Sequence, residues 1–346
     1  MRVPLRLALP SPFREQLEGK LPSDVSVAWF GNAQESLTAV ADADVLWLGI
    51  GMRGEATVAA LDAGPRLRWV HTHGAGTDRH PLEAFRAHGV IFTNGSGIGS
   101  VPIAEYVVMA MLAAAKGLPD LIRLQAQHEW RRRDVTADEL LGSNALILGY
   151  GAIGQAVGAR LVPFGVDVTG VRRRPDGAPG VIGLDDWRSR LETFDWIIIS
   201  TILTPETWQV IGAAELARMR PSAWIFNISR GGNIDQAALI KALQDGHIGG
   251  AYLDVTDSEP LPKESVLWDM PNVIITPHSS WSSSNITRRS AELFLELLKQ
   301  FRSGAQLSNT IDLEHGYRVT TRVPRRTHHE SFEEAHPVAD PVQAQN

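Results

Sequence analysis

The 346-residue chain contains no cysteine, which excludes disulfides and thiolate metal sites. Long apolar runs are also missing: none approaches the roughly 18 residues of a membrane span. The N-terminal Met1-Arg2-Val3-Pro4 does not open the apolar stretch of a secretory signal. Cations are in deficit, with 33 Lys and Arg against 39 Asp and Glu, and the net charge of -6 argues against a general nucleic-acid binder. No histidine–carboxylate cluster has metal-ligand spacing, and internal repeats are absent. The lack of cysteine says little about compartment, and the expectation is a soluble cytoplasmic protein with no membrane and no nucleic-acid partner. Hydrophobic content of 44% and charged content of 21% are ordinary for a globular chain, and the length suggests two domains.

The most informative stretch is Ala145-Leu146-Ile147-Leu148-Gly149-Tyr150-Gly151-Ala152-Ile153-Gly154. Four apolar residues suit a buried strand, and the helical stretch Gln155–Phe164 follows the Gly-x-Gly-x-x-Gly. That order is what a dinucleotide site requires. Gly149 turns the chain out of the strand, Gly151 lets a pyrophosphate approach the backbone, and Gly154 lets the helix pack closely. The free N–H groups and positive dipole end of that helix face the phosphates.

Ahead of it, short apolar runs at Leu5–Leu9, Val25–Trp29, Val45–Ile50, Leu67–His71 and Val90–Phe92 predict a small parallel α/β unit. Two glycine-bearing loops follow strands of this unit, His73-Gly74-Ala75-Gly76-Thr77-Asp78 and Thr93–Ser100. The first is either an anion-binding loop offering backbone N–H groups or an ordinary tight turn. Ser100 is expected to cap an apolar helix over Val101–Lys116, which must be buried by more than one partner, either a subunit interface or a two-domain core. Leu118–Gly142 is polar and helical in tone, and Arg131-Arg132-Arg133 within it reads as solvated surface.

Further buried strands are expected at Val166–Val171, Asp195–Thr201, Ala223–Ile228, Gly249–Leu253 and Val273–Thr276. Helices are expected at Ala213–Met219, at Gln236–Gln244 (capped by Asp235 and ended by Gly246) and at Ser284–Arg302. This alternation predicts a doubly wound nucleotide-binding domain over residues 101–284. The last helix should return to the first unit, so that residues 1–100 and 285–316 form one discontinuous domain. Residues 317–346, rich in Arg, His, Glu and Pro, read as a flexible tail.

Several ordered motifs now support a resemblance to the D-isomer-specific 2-hydroxyacid dehydrogenase family, from about Leu46 to Arg302. His73–Asp78 resembles the family's substrate loop, and Thr93-Asn94 with Ala104-Glu105 its domain crossover. Leu203-Thr204-Pro205-Glu206-Thr207, Asn227–Gly232, Asp254-Val255 with Glu259–Pro262, and Thr276-Pro277-His278 complete the set. The resemblance implies a Rossmann domain beside a smaller flavodoxin-like substrate domain, and dimerisation through the nucleotide domain. It also implies roles. Arg230 would bind the substrate carboxylate and polarise the adjacent carbonyl, His278 would be the acid–base, and Glu259 would support His278. Gly74, Ala75 and Gly76 would meet the carboxylate through N–H groups. Asp254 and the Ile228–Arg230 backbone would hold the nicotinamide carboxamide, and Thr201 belongs with the cofactor set.

Two features depart from the family pattern. Where NAD-binding members carry an acid, Val171 is followed by Arg172-Arg173-Arg174, which suits the 2′-phosphate of NADP; NAD is the alternative cofactor and a solvated basic turn the bland reading. Residues Ser279-Ser280-Trp281 and His71-Thr72-His73 should border the substrate, where His73 offers either a polar or charged contact or a local turn bond. The expected function is NADP-preferring reduction of a small 2-keto acid, glyoxylate or hydroxypyruvate first. A phosphoglycerate-type dehydrogenase is the nearest rival, although it would need extra cations and the chain shows no further C-terminal regulatory domain. A non-catalytic, cofactor-sensing corepressor-like protein is the rival of another class.

Overall fold

The computed structural model describes residues 4–131, 137–175 and 177–319. Among these residues the chain forms two all-parallel sheets. The first holds β1 (Leu5–Pro10), β2 (Val25–Phe30), β3 (Val45–Trp47), β4 (Trp69–His71) and β5 (Ile91–Thr93), in the order β2-β1-β3-β4-β5. The second holds β6 (Asn144–Leu148), β7 (Asp167–Val171), β8 (Val181–Ile182), β9 (Trp196–Ile199), β10 (Trp224–Asn227), β11 (Gly250–Leu253) and β12 (Val273–Ile275). Their order is β12-β11-β10-β9-β6-β7-β8. Every apolar run expected to be a strand forms one, because strands buried on both faces must be apolar throughout.

Side chains alternate between two cores on each sheet. On the seven-stranded sheet Leu146, Ile197, Ile225 and Leu253 enter one core, while Ile147, Ile198, Phe226 and Tyr252 enter the other. Helices cover both faces. Two of them, α5 (Ser100–Ala115) and α7 (Ala152–Leu161), pack together on one, and α8 (Ala213–Leu216) and α9 (Gln236–Gln244) lie on the other. On the five-stranded sheet α1 (Arg14–Leu17), α2 (Ala33–Val40), α3 (Glu55–Ala63) and α4 (Leu82–Ala87) fill the crossovers. Beyond β12, α10 (Ile286–Ser303) returns to that sheet. Its Phe294 stacks between Trp47 at 4.7 Å and Trp69 at 5.2 Å.

Local chemistry explains the helix ends. The Asp235 carboxylate accepts from Ala238 N at 3.0 Å, capping α9, and Gly246 beyond its end has φ +65°. Ser100 corrects an expectation: it lies inside α5 rather than capping it, Gly99 is the cap residue, and the buried Ser100 Oγ has no hydrogen-bond partner among the described residues. Among its described residues the stretch expected to be helical over 118–142 is helical only in α6 (Leu118–Ala126), just beyond which His128 sits at φ +57°. The expected helix Ala213–Met219 shortens to α8, and the edge strand β8 was not anticipated. No single described helix is long and apolar enough to cross a membrane; α5 and α6 reach that length only together, across a 69° bend.

Candidate active site

Three adjacent strands deliver the three expected catalytic side chains. Arg230 follows β10, Glu259 follows β11 and His278 follows β12. The Asn227–Gly232 motif has a physical logic. Asn227 Nδ2 donates to Arg230 O at 2.8 Å while its Oδ1 accepts from Ser229 N at 3.2 Å, and Ser229 Oγ donates to Thr201 O. Ile228 is buried and its N–H bonds Ile199 O. A Cβ on Gly231 would sit 2.0 Å from the Thr256 carbonyl, and one on Gly232 would meet Trp208 at 2.6 Å. The two glycines therefore let the loop close on its neighbours, and the loop aims Arg230.

The loop carrying His278 hangs from Asp254. That carboxylate, 3% exposed, accepts from Thr276 Oγ1 at 2.6 Å, Ser279 N at 2.9 Å, Ser280 N at 3.1 Å and Ser280 Oγ at 2.5 Å. His278 N donates to the Asp254 carbonyl at 2.8 Å. Both carboxylate oxygens are thus engaged by the 276–280 loop, a positioning task that the expected nicotinamide contact did not include. His278 itself has φ +51°, unusual for a side-chain-bearing residue and held by this network. Its Nδ1 lies 2.9 Å from Glu259 Oε2, which leaves Nε2 as the nitrogen available to a substrate.

The five-stranded sheet supplies the facing wall. In the loop after β4, Gly74 O accepts from Gly95 N at 2.8 Å and Ala75 O from Asn94 Nδ2 at 2.6 Å. The N–H groups of Gly74, Ala75 and Gly76 make no hydrogen bond among the described residues, so this stretch of loop keeps its donors open. Arg230 lies against it: a Cβ on Gly76 would sit 1.8 Å from Arg230 Nη2. Next in the chain, Asp78 accepts from Arg230 Nε at 3.1 Å and Nη2 at 2.9 Å, and Arg79 Nη2 reaches Glu259 Oε2 at 3.6 Å. Burial alone would raise the Asp78 carboxyl, but the Arg230 bonds and charge outweigh it and hold the carboxyl below its ordinary value. Neither Asp78 nor Arg79 was anticipated, because their partners lie 152 and 180 residues away and leave no spacing signal.

His73 joins this wall. Its Nδ1 is buried with no hydrogen-bond partner among the described residues, so no local turn bond uses that atom. Burial, then the nearby Arg53 charge, lowers its pKa, so it offers a neutral polar contact rather than a charged one. Beneath it, burial pushes His71 down to about 3; its Nδ1 sits 2.9 Å from Thr93 Oγ1.

The glycine loop lies at the end of β6. Gly149 has φ +94°, and a Cβ there would meet Thr201 N at 2.6 Å; one on Gly154 would meet Gly149 O at 2.5 Å. The protein's own packing demands those two glycines. Nothing lies within 4 Å of a Cβ on Gly151, which begins the first turn of α7 with Ala152 and Ile153. That open position beside unbonded helix N–H groups fits a dinucleotide pyrophosphate. Tyr150 packs its ring against Gly170, and Tyr150 N donates to Val171 O at 2.8 Å. Arg172 Nε donates to Tyr150 O at 2.5 Å, which puts the Arg172-Arg173-Arg174 turn directly beside the loop. Arg132 and Arg133 of the other basic run lie outside the described residues, as does the tail from residue 320. Among the described residues no group of three His, Asp or Glu side chains could hold a metal ion.

Comparison with known proteins agrees with this geometry. The family described as D-isomer specific 2-hydroxyacid dehydrogenase, NAD binding domain, matches residues 108–280. D-3-phosphoglycerate dehydrogenase of Methanocaldococcus jannaschii is 32% identical over 294 residues, covering 84% of this chain and 56% of that one. The chain thus spans about half the length of the phosphoglycerate dehydrogenases it matches. Glyoxylate reductase of Thermococcus gammatolerans is 32% identical over 278 residues, covering 78% and 82%. Among solved structures, an NADPH-dependent glyoxylate/hydroxypyruvate reductase from Sinorhizobium meliloti in complex with NADP and sulfate superposes with a TM-score of 0.77. It shares 26% identity and covers 90% of this chain and 100% of that chain. The chain belongs to the D-isomer specific 2-hydroxyacid dehydrogenase family.

Proposed function

We propose that the protein reduces a small 2-keto acid to the 2-hydroxy acid, using NADPH in preference to NADH, with glyoxylate or hydroxypyruvate as the first substrates to test. The observation that carries this reading is the His278–Glu259 pair at 2.9 Å, linked through the neighbours Arg79 and Asp78 to the Arg230 fork and the Gly74-Ala75-Gly76 loop. The substrate carboxylate lies on the N–H groups of Gly74, Ala75 and Gly76 and on Arg230, whose charge also polarises the C2 carbonyl. His278 gives the proton on Nε2 to the carbonyl oxygen, while Glu259 holds Nδ1 and so aims the ring. When bound, the cofactor supplies the hydride that C2 receives. Gly149, Gly151 and Gly154 hold its pyrophosphate, Thr201, Ile228 and Asp254 border its nicotinamide end, and Arg172, Arg173 and Arg174 face its ribose 2′-phosphate. Residues 1–100 with 285–316 then act as the substrate unit and 101–284 as the cofactor unit.

Assembly as a homodimer in the cytoplasm accompanies this reading. The outer face of α5 and α6 leaves Met109, Leu121 and Ile122 exposed, and Trp130 is 96% exposed beside a cavity of about 720 Å³. A second copy covering this face would bury them.

One observation favours the phosphoglycerate-type alternative. A further cation stands near Arg79 and Arg230: Arg53, whose pKa is lowered first by burial and then by those two charges, and it supports that reading. A single panel separates the readings. NADPH and NADH consumption is followed with glyoxylate, hydroxypyruvate and longer 2-keto acids, and cofactor reduction with 3-phosphoglycerate. Turnover of the keto acids supports the reductase, and turnover of the phosphate ester alone supports the alternative. Firm cofactor binding with no turnover would leave a cofactor-sensing binding protein.

A further inference from the structure

The residues after α10 do more than end the fold. Ile311 and Arg318 form an antiparallel bridge, Val319 N donates to Thr310 O at 2.7 Å, and Arg318 Nη1 donates to Asn309 Oδ1 at 3.1 Å. Between these ties the buried Gly316, at φ +72°, accepts from Thr77 Oγ1 at 2.9 Å. Thr77 belongs to the substrate loop, so this strap is anchored on the five-stranded sheet. The next residue, Tyr317, reaches the other sheet. Its ring centroid lies 3.8 Å from the Arg173 guanidinium carbon, and its hydroxyl lies 3.4 Å from Thr204 Oγ1.

We propose that Tyr317 is a specificity-determining residue for the cofactor: its ring holds the Arg173 guanidinium flat, with the N–H edges turned toward the ribose 2′-phosphate. This rests on the NADP reading above. The geometry supports it in two ways. The turn bearing Arg173 is tied to the glycine loop by the Arg172 Nε to Tyr150 O bond and by the Tyr150 N to Val171 O bond, so it borders the cofactor's phosphate end. A planar guanidinium stacked on a ring also keeps its donors free in its own plane, where a phosphate can take them in pairs. A freely rotating arginine would lose more side-chain entropy on binding. Glu206 faces the same cluster; its carboxyl is held below its ordinary value first by the Thr204 hydroxyl, with lesser contributions that include His315 and Arg173.

The test is calorimetric titration of NADP+ and NAD+ into the full-length protein and its Tyr317→Ala, Tyr317→Phe, Arg173→Ala and Arg173→Ala/Tyr317→Ala variants. Tyr317→Ala should weaken NADP+ by roughly two- to fivefold, the size of an exposed cation–π contact, and leave NAD+ unchanged. Tyr317→Phe keeps the ring and should bind both cofactors like the parent. Once Arg173 is alanine, removing Tyr317 should cost nothing more. Equal weakening of both cofactors, tighter binding of either, or the same loss without Arg173 would overturn the assignment. A parent that prefers NAD+ overturns the NADP reading and this inference together. A parent that prefers NADP+ while Tyr317→Ala binds both cofactors like the parent overturns the inference alone.

Discussion

The buried side chains that shape the two walls of the site are satisfied to different degrees. On the seven-stranded sheet Asn227 and Asp254 are buried and bonded at both ends of their side chains, each spent on shaping a loop. On the five-stranded sheet Trp47 Nε1, His71 Nε2 and His73 Nδ1 are buried without a hydrogen-bond partner among the described residues. An unbonded buried polar group costs on the order of 1–3 kcal/mol, whereas a satisfied network rigidifies its surroundings. The difference teaches a division of labour. The seven-stranded side is built for fixed geometry, with loops locked by their own side chains. The five-stranded side relies on aromatic packing for stability and keeps polar side chains beside its glycine-bearing loop.

The largest expected effect comes from breaking that aromatic packing. Phe294→Ala removes the ring sandwiched between Trp47 and Trp69 and should cost about 3–5 kcal/mol in denaturant unfolding. Cofactor affinity should survive in the fraction that stays folded, because the glycine loop stands on the other sheet. A smaller effect runs the opposite way. Gly149→Ala places a Cβ 2.6 Å from Thr201 N at a backbone φ of +94°. It should lower cofactor affinity by on the order of a hundredfold, measured by calorimetry, with little change in the unfolding of the five-stranded unit. Loss of both properties together in either variant would show that the two sheets are not separable in this way.

The smallest of the three effects concerns acid. His71 is held at about 3 in the folded protein, against about 6.5 when unfolded. Because the folded-state value is depressed, the unfolded chain takes up the proton first. The stability that His71 allows is present above about pH 6.5 and is lost as the pH falls toward 3. Between pH 7 and 5 the loss should be about 2 kcal/mol. That share of the pH dependence should disappear in His71→Asn, read from urea midpoints at the two pH values, while His73 and His80, also lowered by burial, keep the remainder. An unchanged pH dependence in that variant would place the acid sensitivity elsewhere; His80, lowered to about 4 mainly by burial, would then be the next group to replace.

What the sequence disclosed follows from the range of each interaction. The parallel strands were legible because burial on both faces makes each a continuous apolar run, as at Trp196–Ile199. The glycine loop was legible because its residues contact one another within a few positions. Arg230, Glu259 and His278 were found through ordered motifs, and the geometry adds why: Asn227 and Asp254 are the brackets that hold two of them. Two-residue β8 carries too little apolar signal to be seen. Asp78, Arg79 and Tyr317 escaped for another reason. Each acts across the gap between sheets, on partners more than a hundred residues away, and no local pattern encodes such a pairing. Tyr317 even stood at the start of a stretch read as flexible tail.

The central claim, that this site moves a proton from His278 to a 2-keto acid, is tested most directly by NADPH oxidation with glyoxylate or hydroxypyruvate in the unmodified protein and in His278→Ala, alongside NADPH titration of both. The expected result is turnover in the parent, a rate lower by on the order of a hundredfold or more in the variant, and equal NADPH affinity. Turnover in His278→Ala at the parent's rate, or none in the parent despite firm NADPH binding, would contradict it.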